Sequence, residues 1–119
     1  MFSAKRYPNN VYIRGKDITT IPAGRIFCKN LIAKDSNLNI LPNNLYVYGD
    51  LDLSNTPIQE LPKGLKVRGD LILTGSSIKN IPDDLLVGGS LILNDTMYLT
   101  TMPDFLWVGK YLIIKNSAI

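Results

Sequence analysis

Hydrophobic positions recur every twenty residues along most of this chain. The clearest marker is an apolar residue followed by proline, and these prolines lie 20, 20, 20 and 21 residues apart: Pro22, Pro42, Pro62, Pro82 and Pro103. A fixed period of this length is typical of a solenoid, in which similar coils stack and each buries the apolar face of its neighbour. The pattern therefore predicts a stack of short coils.

Two short segments in each unit alternate between apolar and other side chains. In one unit they are Leu45–Val47 and Leu51–Leu53, with Gly49 between them. Alternation with a period of two indicates strands, because successive strand side chains point to opposite faces. A proline in every unit would also break a helix. The sequence predicts an all-β fold, a parallel β-solenoid of about five to six coils of 20 residues, with little or no helix.

The repeats place the whole chain, residues 1–119, in a single domain with irregular ends. We assign residues 1–21 to an N-terminal cap and truncated repeat, 22–111 to full repeats, and 112–119 to an incomplete last repeat. In the first unit we align Val11, Ile13 and Gly15 with the first strand of later units, so this unit lacks a second strand. Terminal repeats are usually atypical. We expect Met1–Tyr7 to cover the exposed first coil.

A column of hydroxyl side chains follows the second strand of each unit: Ser36, Thr56, Ser76, Thr96 and Ser117. A buried hydroxyl needs a hydrogen-bond partner. We expect that partner to be the backbone of the adjacent coil. The column is therefore interpreted as a structural ladder and not as a set of nucleophiles.

The repeat resembles a known family. Residues 51–62 read LxLxxTxIxxLP and residues 71–82 read LxLxxSxIxxIP. These runs resemble the leucine-rich repeat LxLxxNxLxxLP, with a hydroxyl residue in the asparagine position. The fuller unit, LPxxLxVxGDLxLxxTxIxxLP, is similar to short repeats in bacteriophage and bacterial proteins of unassigned role. The resemblance covers roughly residues 8–119 and implies architecture more than function. The extra LxVxG stretch leaves two shapes open, a two- or three-sided β-solenoid and a curved horseshoe.

The charge of the chain is uneven. Its formal net charge is +3. Residues 1–34 carry seven basic side chains and one acid (+6), whereas residues 35–119 carry six basic and nine acidic ones (−3). A basic end can attract a phosphate backbone or an acidic partner. The alternative function is therefore a nucleic-acid-binding accessory protein that acts through Lys5, Arg6, Arg14, Lys16, Arg25, Lys29 and Lys34.

The composition argues against catalysis. The chain has no histidine and one cysteine, so we expect no enzyme activity, no catalytic residues, no metal site and no cofactor. Cys28 cannot form an intrachain disulfide, which suits a reducing cytoplasm. No apolar run is long enough to span a membrane, and the first residues do not form a signal peptide. We therefore expect a cytoplasmic protein without a membrane partner, in the host cytoplasm if a phage encodes it.

Two outward columns carry more apolar and aromatic residues than a solvent-facing strand requires. One contains Tyr12, Tyr46, Leu86 and Trp107, and the other contains Ile72, Ile92 and Ile113. Exposed apolar patches usually mark interaction sites, and Trp and Tyr are favoured at interfaces. The sequence predicts a small protein-interaction module that inhibits or adapts a protein partner. The resemblance to phage repeats implies a host or phage partner and an anti-defence role. An uncapped last coil also predicts a homodimer through the C-terminal coil.

Overall fold

The computed structural model describes residues 2–119, in which very short strands and turns alternate and stack into six coils. Each coil contributes one two-residue strand to each of two sheets. Sheet A consists of β1 (Arg6–Tyr7), β3 (Ile26–Phe27), β5 (Tyr46–Val47), β7 (Lys66–Val67), β9 (Leu86–Val87) and β11 (Trp107–Val108). Sheet B consists of β2 (Val11–Tyr12), β4 (Leu31–Ile32), β6 (Leu51–Asp52), β8 (Leu71–Ile72), β10 (Leu91–Ile92) and β12 (Leu112–Ile113).

Both sheets are parallel, and neighbouring strands come from successive coils. In sheet B the backbone N–H of Leu51 donates to the Asp70 carbonyl at 2.9 Å, whereas in sheet A the N–H of Lys66 donates to the Leu45 carbonyl at 3.0 Å. Residues 2–119 contain no helix, so none that could cross a membrane. The predicted parallel β-solenoid is confirmed.

A continuous apolar core runs through the stack. Side chains that share a column, such as Leu51, Leu71 and Leu91, have no exposed surface. The partners of Leu71 in register are Leu51 on one side and Leu91 on the other. Because each coil covers the apolar face of the next, two-residue strands are enough to build a core that they could not build alone.

The expected alignment of the first coil is wrong. Val11 pairs with Leu31 in sheet B, and Arg6 pairs with Ile26 in sheet A. The first coil therefore has both strands, and its second strand is the one that we had aligned with the first strand of later units. The physical reason is burial: in this register Ile13 is fully enclosed. Pro8 misled the alignment, because it does not occupy the position of the later prolines.

The hydroxyl column is structural, but its expected partners are wrong. The Ser36 hydroxyl donates to the Ala33 carbonyl at 2.6 Å, and the Thr56 hydroxyl donates to the Leu53 carbonyl at 2.7 Å. Both acceptors belong to the same coil, three residues earlier, and not to the adjacent coil. These bonds stabilise the turn that follows sheet B, because the side-chain hydroxyl satisfies a backbone carbonyl at the point where the strand ends.

The two ends of the solenoid differ. At the first coil the Phe2 ring packs edge-on against Tyr7 and Phe27, with centroids 6.2 and 6.4 Å apart, respectively. Phe2 thus packs over this end, whereas β1, within the segment that was expected to cover the first coil, is itself part of that coil. Met1 lies outside the described residues. At the sixth coil Leu112 is 46% exposed and Ile114 is 36% exposed. The apolar columns of the core therefore reach the surface there.

Candidate functional site

The outer faces of the two sheets are the candidate binding surfaces, and a polar ladder joins them at the corner of each coil. The ladder contains Asn10, Asn30, Asp50, Asp70 and Ser90, one residue per coil. Each side-chain oxygen accepts the backbone N–H of its neighbour in the next coil; Asp50 N–H to Asn30 Oδ1 is 2.7 Å and Ser90 N–H to Asp70 Oδ1 is 2.8 Å. One carboxylate oxygen of Asp50 and one of Asp70 are therefore committed to the fold.

The outer face of sheet B carries the predicted isoleucines. Ile72, Ile92 and Ile113 are consecutive partners in register and are all half-buried; we call them the isoleucine stripe. Thr74 and Asn94, two residues after Ile72 and Ile92, share their outward face because strand side chains alternate, and they carry no charge. The sheet thus presents an apolar strip whose polar border carries charge at the two ends of the stripe, at Asp52 and Lys115.

Tyr12 lies on sheet B, so the structure separates it from Tyr46 and Trp107. It is paired with Ile32 and is 47% exposed. The Arg14 guanidinium lies over its ring, 5.0 Å from the centroid. A groove of about 550 Å³ runs from Tyr12 past Lys34 and Asp52 to Ile72. Tyr12 is therefore at the far end of the column that holds the isoleucine stripe.

The outer face of sheet A brings the other predicted residues together. Tyr46, Lys66, Leu86 and Trp107 are successive partners in register. Leu86 is 42% exposed and Trp107 is 59% exposed. A depression of about 190 Å³ lies among these four side chains. The outer face of sheet A thus combines aromatic, basic and apolar side chains over four successive coils.

The sequence analysis missed the column beside this one. It contains Cys28, Tyr48, Arg68, Gly88 and Gly109. The Tyr46 and Tyr48 rings are stacked, with centroids 4.3 Å apart and planes 5° apart. The Arg68 guanidinium lies 5.7 Å from the centroid of the Tyr48 ring. The signal was available, because a residue two positions after Tyr46 must share its face of the strand.

The basic N-terminal residues do not form one surface. Arg6 lies beside Cys28, Tyr48 and Arg68 on sheet A, where they line a depression of about 370 Å³. Arg14 lies on sheet B, over Tyr12. The Arg25 guanidinium donates to the carbonyl oxygens of Phe2 and Ala23, so it fastens the N-terminal segment. The remaining candidates are exposed lysines: Lys5, Lys16, Lys29 and Lys34.

Nothing in the described part of the chain assembles three or more His, Cys, Asp or Glu side chains that could hold a metal ion. The chain matches no protein-family model, and it has no significant match among curated proteins or solved structures. The two outer faces themselves are therefore the basis for a functional interpretation.

Proposed function

We propose that this chain is a protein-interaction module that binds a protein partner through the isoleucine stripe of sheet B. The observation that carries the proposal is the in-register alignment of Ile72, Ile92 and Ile113 on the outer face of the sheet. The core on the inner face is already complete without them, because Leu71 and Leu91 beside them are fully buried. The fold therefore does not account for three apolar side chains on the outside.

The surroundings of the stripe support a protein partner. Protein interfaces usually have an apolar centre, depleted in charge, within a polar border. Thr74 and Asn94 provide uncharged polar groups beside the stripe, and Lys115 adds a charged one at its end. Tyr111, which follows Ser90 in the same column, is 70% exposed and adds an aromatic side chain at the end of the stripe. Tyrosine is one of the residues that contribute most to binding energy at interfaces.

The proposed module acts by occupancy and not by catalysis. The chain has no histidine, and its one cysteine has no partner thiol within the chain. We place it in a reducing cytoplasm for the same reason. The repeat pattern resembles leucine-rich repeats and the short repeats of phage proteins. This resemblance supports a role as an inhibitor or adaptor of a host or phage protein, for example a protein of host defence.

We also propose that the sixth coil mediates self-association. Leu91 and Leu93 are fully buried, whereas Leu112 and Ile114, which occupy the same columns one coil later, are 46% and 36% exposed. Parallel strands with an unpaired edge readily pair with a further strand. A second copy provides both a strand that pairs with this edge and an apolar surface that covers the exposed side chains.

The test of the partner proposal is capture of proteins from a bacterial lysate with the intact chain and with Ile72→Lys/Ile92→Lys. We expect the double variant to lose a protein that the wild type retains, because two buried charges would enter the centre of the interface. Leu86→Lys, the same change on sheet A, is the matched control and should retain that protein.

Circular dichroism shows whether the lysine variant is folded. If it is not, Ile72→Thr/Ile92→Thr replaces it, since threonine already occupies the neighbouring outward position at Thr74. If the wild type and the folded stripe variant captured the same proteins, the proposal would be contradicted. If only the Leu86→Lys variant lost the captured protein, the interface would lie on sheet A instead.

A further inference from the structure

The outer face of sheet A combines aromatic rings with cations and contains no carboxylate in its two outward columns. We call Arg6, Tyr46, Tyr48, Lys66, Arg68 and Trp107 the aromatic–basic face. The other outward positions of these two columns, within residues 2–119, are Pro8, Ile26, Cys28, Leu86, Gly88 and Gly109. The face thus carries three positive charges without an opposing acid, although the chain as a whole carries only +3.

The cations are held above the aromatic rings. The Lys66 ammonium lies 6.0 Å from the centroid of the Tyr46 ring, and the Arg68 guanidinium lies 5.7 Å from that of Tyr48. The stacked tyrosines in turn orient each other. Neither cation is engaged by an acidic side chain of this face, and both are exposed. Their charges are therefore available to a ligand from solution.

Trp107 has open space beside it. The positions that flank Leu86 and Trp107 in the next column are Gly88 and Gly109. Each glycine is required by close packing between coils, because a Cβ on Gly88 would collide with the Arg68 carbonyl and one on Gly109 with the Gly88 carbonyl. No side chain therefore covers this flank of the indole ring, and a flat group can lie against it.

The positive charges follow the axis of the solenoid. The backbone positions of Arg6 in the first coil and Arg68 in the fourth are about 14 Å apart at about 4.8 Å per coil, and their long side chains line one depression between them. Trp107 lies two coils beyond Lys66. An extended ligand that follows this axis would meet a cation first, then the tyrosine pair with its two cations, and then the indole ring.

The geometry points to single-stranded nucleic acid, RNA or DNA, as a ligand of the aromatic–basic face. Arg6, Lys66 and Arg68 contact phosphates, and a base stacks on the open flank of Trp107. Positive grooves with aromatic stacking platforms are the means by which proteins bind single strands without sequence preference. A duplex offers its phosphates but keeps its bases stacked on each other, so it uses the cations alone. This inference stands apart from the proposed protein partner, which uses the other sheet.

The intrinsic fluorescence of Trp107 tests the inference directly, because it is the only tryptophan in the chain. The wild-type protein is titrated with oligodeoxyuridylate, with oligouridylate, which differs from it only in the sugar, and with a duplex of the same length, each of about twelve nucleotides. We expect both single strands to quench the fluorescence, and the stronger of the two identifies the preferred sugar. We expect the duplex to bind at least about tenfold more weakly, since it gains no stacking.

Fluorescence anisotropy of the labelled strand measures the variants. Trp107→Ala should weaken binding by about 5- to 150-fold, the effect of one lost stacking contact. For wild type, log affinity should fall with log salt with a slope of about −2, from three phosphate contacts at about 0.7 each, and Arg68→Ala should reduce that slope by about 0.7.

The matched control removes two exposed cations from the border of sheet B. Lys34→Ala/Lys115→Ala should retain wild-type affinity within about twofold after correction for net charge, whereas Lys66→Ala/Arg68→Ala should lose most of it. Equal losses in both double variants would overturn the inference, as would duplex binding as tight as single-strand binding. Absence of quenching at micromolar protein, or equal binding of polyglutamate, would also overturn it; the latter would indicate an acidic protein ligand.

Discussion

The carboxylate of Asp70 accepts the backbone N–H of Ser90 at 2.8 Å, across the gap between two adjacent coils. The N–H of Asp70 itself donates to Asp50 in the preceding coil at 2.7 Å. The same pattern links the corners of successive coils. Side-chain oxygens thus accept the backbone N–H groups where the chain turns from sheet A to sheet B.

Asp70→Ala should therefore destabilise the protein. It removes the acceptor for a part-buried N–H group, and an unsatisfied buried donor costs about 1–3 kcal/mol. Urea denaturation measures the change in the free energy of unfolding. Asp70→Asn keeps an oxygen acceptor and should lose less, and Asp83→Ala, at an exposed position, is the surface control. A variant Asp70→Ala as stable as the Asp83→Ala control would show that the ladder does not contribute.

The hydroxyl column permits a matched pair of identical substitutions. The Ser36 hydroxyl donates at 2.6 Å to the Ala33 carbonyl, whereas the Ser76 hydroxyl, equally buried, has no partner among the described residues. Ser36→Ala should cost about 1 kcal/mol, and Ser76→Ala should be neutral or stabilising, because it removes an unsatisfied polar group. Thermal unfolding of the two variants checks the order. Equal destabilisation by both would mean that Ser76 finds a partner in solution.

The cost of truncating a core leucine should be lower in the last coil than in the middle of the solenoid. Leu91 is fully buried, and Leu112, its partner in register in the last coil, is 46% exposed. Leu91→Ala should cost about 2–5 kcal/mol through lost contacts and a cavity. Leu112→Ala should cost clearly less at low protein concentration. Chemical denaturation of both variants provides the comparison, and a Leu112 variant as unstable as the Leu91 variant would show that the sixth coil is covered.

Measurement of the molecular mass in solution tests self-association through the sixth coil. We expect sedimentation to show a dimer whose population rises with protein concentration, and Leu112→Lys/Ile114→Lys to abolish it, because lysines at a strand edge oppose pairing. Ile40→Lys, which changes an exposed apolar residue of the second coil outside the strands, is the control and should still dimerise. A wild-type protein that remains monomeric at millimolar concentration would contradict the proposal.

The sequence was sufficient for the architecture. The prolines at intervals of 20 and the alternation around Gly49 predict stacked strands because burial in a solenoid repeats with the coil, and the pattern of apolar residues repeats with it. The sequence was insufficient for the strand register of the first coil. There Val11 resembles either strand of a later unit, and only the enclosure of Ile13 in the stack decides between the two registers.

The candidate surfaces divide in the same way. The outward positions of Ile72, Ile92 and Trp107 follow from strand alternation, which is a local property of the chain. Tertiary structure decided which of them are neighbours: it placed Tyr12 on sheet B and brought Arg6 beside Tyr48 and Arg68 on sheet A. The chain by itself determined the period and the inward and outward sense of each residue. The contacts between coils determined register and surface chemistry, because residues 20 or more positions apart meet only when the coils stack.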